Sequence, residues 1–142
     1  MMNIKSRKTF NNILMKEHIN NYIEWLKQKI LITQIGEWYE ITIPFLDYHN
    51  DQIQIYAKID NDNIVLTDNG NTLNELELLG VSIERSEKRR NEFNVILNRF
   101  GVKHENDQLT AYADKKNFPE VMHRLIQAIL FLNSMKTDNN HA

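Results

Sequence analysis

The residue types best suited to chemistry lie between positions 47 and 68. Asp47, His49 and Asp51 fall within one short connection, and Asp68 stands near another predicted strand end. Carboxylates and imidazole ligate divalent cations, and a cation held by Asp47, His49 and Asp68 would activate water for phosphodiester hydrolysis. A sheet-borne nuclease of the common restriction type wants Glu-x-Lys on the next strand. The positions leading to Lys58 are Tyr56 and Ala57, so that acid is missing. Asp and Asn also bond back to their own backbone in turns, which accounts for Asp47, Asp51 and Asp68 without any metal. The expectation is therefore no metal and no cofactor, with a metal-dependent hydrolase at Asp47, His49 and Asp68 as an alternative.

The second group is basic: Arg85, Lys88, Arg89 and Arg90, followed by Arg99, Lys103, Lys115 and Lys116. Phosphate binding favours a clearly basic domain, whereas the pI here is about 6.2 and Glu84, Glu87 and Glu92 interrupt the cluster. Nucleic acid bound through Arg85 to Arg90 is an alternative reading. His123, flanked by Met122 and Arg124, has Gln127 four residues on where a second ligand would stand. No Ser-His-Asp order, HExxH motif or phosphate-cradling glycine loop occurs, and cysteine is absent, which removes disulfides and thiolate zinc sites.

Net charge is only −2, yet it is unevenly spread. Residues 1–36 hold six Lys/Arg against two Glu, a net +4. Residues 37–80 hold nine Asp/Glu against Lys58 alone, a net −8. Such polarity can form an acidic face that steers a basic partner; Asp47, Asp51, Asp60, Asp62 and Asp68 are the candidates for it.

These residues must be positioned by a scaffold that the pattern describes well. From Trp38, Tyr39, Ile41, Ile43 and Phe45 alternate with Trp38, Glu40, Thr42 and Pro44; Ile53, Ile55, Ala57 and Ile59 then alternate with Gln52, Gln54, Tyr56 and Lys58. Period-two alternation predicts half-buried antiparallel strands, with a third from Ile64 to Thr67 and a short one at Leu31 to Ile35. Asp60-Asn61-Asp62-Asn63 predicts a hairpin turn. Thr72 with Glu75 three residues on predicts a capping box, and Gly80 the end of that helix. Ser86 caps a further helix ending at Gly101. A second hairpin turns at Asn106-Asp107, and Pro119 opens the last helix, striped by Met122, Leu125, Ile126, Ile129 and Leu130. Before all of these, a helix from Ser6 or Thr9 to Lys29 is expected to face the core through Phe10, Ile13, Leu14, Ile19, Tyr22, Ile23, Leu26 and Ile30, with Trp25 at the core edge. The tail after Lys136 is expected to fray.

The order α-β-β-β-α-α-β-β-α over residues 1–142 predicts one α+β domain, its antiparallel meander and hairpin packed against helices. No apolar run approaches the roughly 18 residues of a membrane span. The charged start MMNIKSRKTFNN lacks the apolar stretch of a secretory signal, so a cytoplasmic protein without membrane contact is expected.

Four stretches also form a specific pattern: Pro44-Phe45-Leu46-Asp47, Ile53-Gln54-Ile55-Tyr56, Leu66-Thr67-Asp68-Asn69-Gly70, and the leucine-rich Leu73 to Gly80. With Arg89-Arg90, Asn94 to Gly101 and Asn117-Phe118-Pro119, they make residues 30 to 135 resemble the bacterial and phage family of domains of unknown function numbered 1828. The resemblance implies a small protein of Gram-positive bacteria and their prophages, and it assigns no catalytic residues. Asn69 departs from the acid that many members carry, which argues against a metal role for that turn. Resemblance and charge together lead to one expectation: a non-enzymatic protein of a phage or mobile element that binds a host or defence protein through its acidic central face. Inhibition of a nucleic-acid-handling nuclease would suit an acidic face that fills a basic channel. A homodimer is a further candidate assembly.

Overall fold

The computed structural model describes residues 3–139, with side chains through Met135. The element order is α1 (Ile4–Lys29), β1 (Leu31–Ile35), β2 (Trp38–Leu46), β3 (Gln52–Asp60), β4 (Asn63–Thr67), α2 (Asn71–Leu78), α3 (Glu87–Phe100), β5 (Lys103–Glu105), β6 (Gln108–Asp114) and α4 (Phe118–Asn139). The fold is α+β, as the alternation and stripes require. The six strands form one antiparallel sheet in the order β1-β2-β3-β4-β6-β5. The short strand at Leu31 extends the expected three-stranded meander to four.

The alternation fixes which sheet face is dry. Ile41, Ile43, Ile53, Ile55, Ala57, Leu66, Leu109 and Ala111 are buried. Over them lie Leu76 of α2, Phe93, Ile96 and Leu97 of α3, and Leu125, Ile126, Ile129 and Leu132 of α4, in one continuous core. Asn and Asp residues supply the left-handed backbone at the hairpins: Asn61 (φ 56°) between β3 and β4, Asn106 and Asp107 (φ 51° and 60°) between β5 and β6. Ser86 caps α3, accepting from the Arg89 amide, as expected.

Two helix starts differ from the pattern. Asn3, three residues before Ser6 and six before Thr9, accepts the Ser6 amide at 2.8 Å and begins α1 at Ile4. Thr72 and Glu75 do not form a capping box; Gly70 is the N-cap and offers no side chain. Asp68 takes that role from two positions further back. At the other end of the chain, the backbone of α4 is helical to Asn139. The rest of the expected frayed tail, residues 140–142, lies outside the described residues.

The largest departure is α1. None of its residues is buried, and Phe10, Ile13, Ile19, Tyr22, Ile23 and Trp25 are each about half exposed. The reason is angular. At about 100° per residue, Ile19, Tyr22, Ile23, Leu26 and Ile30 point to one side of the helix, and Phe10, Ile13 and Leu14 to the opposite side. Apolar residues at three- and four-residue steps made each half look amphipathic, but the two halves do not share a stripe. The dry sheet face is already filled by α2, α3 and α4. Trp25, expected at the core edge, instead stacks on Tyr22 with Lys29 over its ring.

Candidate functional site

The meander decides where the acids go. β3 is nine residues long, about 27 Å at a strand's rise per residue, and the turns flanking it lie at opposite ends of the sheet. Asp47 and Asp51 belong to the β2–β3 turn, while Asp60 ends β3 and Asp62 lies in the β3–β4 turn. The −8 segment therefore does not form one acidic face. Its carboxylates divide between two ends, and Glu37 at the far end is offset by Lys58 at 3.1 Å.

Asp68 leaves the surface altogether. It is 1% exposed, and its carboxylate accepts three backbone N–H groups: Gly70 at 2.9 Å and Leu109 at 3.0 Å on Oδ1, and Thr72 at 2.9 Å on Oδ2. One side chain thereby joins the end of β4, the turn at Asn69-Gly70, the first turn of α2 and strand β6. A carboxylate so saturated has little left to offer a metal or a partner. Among the described residues, no three His, Cys, Asp or Glu side chains gather as a metal site; Asp47, His49 and Asp68 are not brought together as a ligand set.

What the near end does gather is a cleft of about 570 Å³ between the β2–β3 turn, the start of α2 and the end of α4. Among the described residues its ionisable lining is acidic: Asp47, Asp51, Asp68 and Glu75. Asp47 is partly committed, since its Oδ1 accepts the His49 and Asp51 amides at 2.8 and 3.0 Å. Asp51 is exposed, and its carboxylate has no partner among the described residues. From α4, Asn133 closes the cleft. It is 8% exposed; its Nδ2 donates to the Ile129 carbonyl at 3.0 Å, and its buried Oδ1 accepts nothing from the described residues. A buried acceptor without a donor is costly in a folded protein and calls for an explanation at each occurrence. Chemically, this cleft is a set of oxygen acceptors suited to a donor-rich cation, an ammonium or a guanidinium.

Sequence reasoning missed Asn133, although a signal existed. It continues the α4 stripe four residues beyond Ile129, where an apolar residue belongs.

The basic group is less coherent. Lys88, Arg89 and Arg90 are consecutive in the first turn of α3, so their side chains fan around the helix. The Arg90 guanidinium donates to the Glu84 carbonyl, and Arg85 precedes the helix. Lys103 is on β5 over the Tyr112 ring, while Lys115 and Lys116 sit in the turn before α4. His123 is exposed on α4.

The sheet face away from the helices carries a polar and aromatic row. Pairing aligns Trp38, Lys58, Val65 and Tyr112 across four strands, and Glu40, Tyr56, Thr67 and Thr110 in the next row. The Tyr56 hydroxyl lies 3.2 Å from Glu40 Oε2 and 3.3 Å from Gln54 Oε1. Partial burial, and then the Glu40 carboxylate, push the Tyr56 phenol above its ordinary value of 10. The unfolded chain gives up this proton first as pH rises. Tyr56 thus contributes stability in full below about pH 10, and that contribution disappears as pH climbs through the folded value. Tyr56→Phe is expected to flatten the alkaline decline in Tm above pH 10 and to leave the neutral plateau shape unchanged. An identical alkaline limb in the two proteins would rule this coupling out.

No helix among the described residues is long and apolar enough to cross a membrane. No curated protein and no solved structure matches the chain significantly. The family model for a domain of unknown function, DUF1828, matches residues 43–132. That span runs from the second half of β2 to Leu132 of α4, includes the near-end cleft except Thr42 and Asn133, and leaves α1 and β1 outside. With well over half its length matched, and the quoted motifs of β2, β3, β4 and α2 inside the match, this chain belongs to the DUF1828 family of domains.

Proposed function

We propose that this chain is a non-enzymatic binding protein, carried by a phage or mobile element, that modulates a nucleic-acid-handling host or defence protein. The contact is the near-end cleft, where Asp51, with Asp47 beside it, receives a lysine or arginine side chain from the partner's basic surface. The observation that supports this reading is the unpaired Oδ1 of Asn133 in a cleft whose ionisable residues, among those described, are acids. A basic side chain entering there would supply the missing donor and be neutralised by the carboxylates at the rim. Nucleic-acid-handling proteins present such side chains in rows, and electrostatic complementarity would speed the encounter and fix its orientation.

The test is binding of an arginine-rich peptide, followed by fluorescence anisotropy. Asp51→Lys is expected to weaken binding about tenfold, about 1.4 kcal/mol. Asp62→Lys, the same charge change at the far end, is expected to stay within about twofold of wild type, a few tenths of a kcal/mol. Asp47 is spared because its Oδ1 holds the turn. Equal losses from the two variants would reduce the effect to net charge and overturn the assignment of the cleft.

A further inference from the structure

The two edges of the sheet are built differently. The β5 edge is three residues, Lys103-His104-Glu105, short and charged in the way that discourages further pairing. The β1 edge is five residues, Leu31-Ile32-Thr33-Gln34-Ile35, with no charge and no proline. All five are exposed, Ile32 at 67%. This is an open hydrophobic edge, and its free N–H and C=O groups are a template for another strand. Attached to it is α1, whose apolar residues on opposite sides are not buried by any of the described residues.

We infer that β1 and α1 form the interface of a two-fold symmetric homodimer. The strand is suited to pair with itself. Antiparallel addition centred on Thr33 sets Leu31 of each copy opposite Ile35 of the other, apolar against apolar, and continues the sheet from six strands to twelve. A helix with apolar residues on opposite sides needs two neighbours; the second copy supplies its own α1 and the flank of its own β1. The surface available is sufficient. Phe10, Ile13, Ile19, Tyr22, Ile23, Trp25, Leu31, Ile32 and Ile35 are each about half exposed or more. At roughly 90 Å² apiece, half of a large side chain, they offer on the order of 800 Å² per subunit, the share each partner contributes to a standard stable interface. The six Lys/Arg of residues 1–36 keep the remaining helix surface solvated. Two-fold dimers are the commonest closed assembly, and closure removes the exposed edge in both copies. The near-end cleft is not needed for this interface, so the inference stands apart from the binding function.

Light scattering during size exclusion, run from low to high micromolar loading, tests it. The expected mass is twice 16.9 kDa. Ile23→Lys with Ile32→Lys places charge on two exposed positions, costs the monomer no core contact, and is expected to shift the mass to 16.9 kDa with the far-UV spectrum preserved. Amide exchange gives a second reading: the outward amides of residues 31–35 are expected to be protected in the wild type and to lose that protection in the double variant. A wild-type protein that stays at 16.9 kDa throughout overturns the inference, and so does a dimer that survives both lysines.

Discussion

Asp68→Ala is expected to lower stability by about 3–5 kcal/mol, because it strands three backbone donors with nothing to replace the carboxylate. The Thr72 and Leu109 amides are buried at their bonds to Asp68, and the Gly70 amide is partly so. Water has little access to repair the loss, and the cost of a buried unsatisfied N–H is about 1–3 kcal/mol each. For a chain of this length the drop corresponds to a fall in Tm of about 10–15 °C. Asp68→Asn separates charge from shape. Its remaining oxygen can serve the Gly70 and Leu109 amides, but its NH₂ would face the Thr72 amide donor to donor. About half the loss, roughly 2 kcal/mol, is expected. The effect should reach past the turn. With α2 untied from β6, amide exchange is expected to accelerate in the first turn of α2 and at Leu109, while β2 and β3 keep their protection. A variant melting within about 3 °C of wild type, a cost near 1 kcal/mol, would mean that the carboxylate does not hold these elements together.

Asp68 also shows what a sequence can and cannot disclose. An aspartate in a Thr-Asp-Asn-Gly turn is compatible with a surface acid, a metal ligand or a backbone cap, because all three need a carboxylate at a strand end. The deciding partner, the Leu109 amide, is 41 residues away, and pairing over that distance follows from the β4–β6 contact, not from local pattern. The strands and their faces were legible for the opposite reason. Alternation at Ile41–Ile43 and Ile53–Ile55 is a local signal, and a half-buried sheet leaves it only one register. The Asn-rich turns were legible because left-handed dihedrals select few residues. Net charge over residues 37–80 misled, since consecutive turns of a meander point to opposite ends of a sheet. Asp51 and Asp60 are nine residues apart and separated by the full length of β3.

Phe93→Ala and Phe10→Ala carry the last of these contrasts to a measurement. Each phenylalanine sits in a run of apolar residues at helical spacing, and the sequence offers no reason to rank them. In the fold, Phe93 is 1% exposed, packed within the core under α3, with its ring edge-on to His104 at 5.4 Å between centroids. Truncation leaves a cavity that α3 cannot collapse into, because Ile96 and Leu97 hold the helix to the same core. The expected loss is about 3–5 kcal/mol, as for other buried phenylalanines. Phe10 is 50% exposed on a helix with no buried residue, and its truncation is expected to change the stability of a single chain by less than about 0.5 kcal/mol. Urea titration of both variants at low protein concentration gives the comparison directly. A loss of more than about 2 kcal/mol from Phe10→Ala, well beyond the usual surface range, would place α1 against the body of its own chain and contradict its exposure. A loss that grows only as protein concentration rises would instead be the mass-action signature of burial in a second copy. The same apolar spacing thus encodes two kinds of surface, and what separates them is whether the chain itself has a face left to cover.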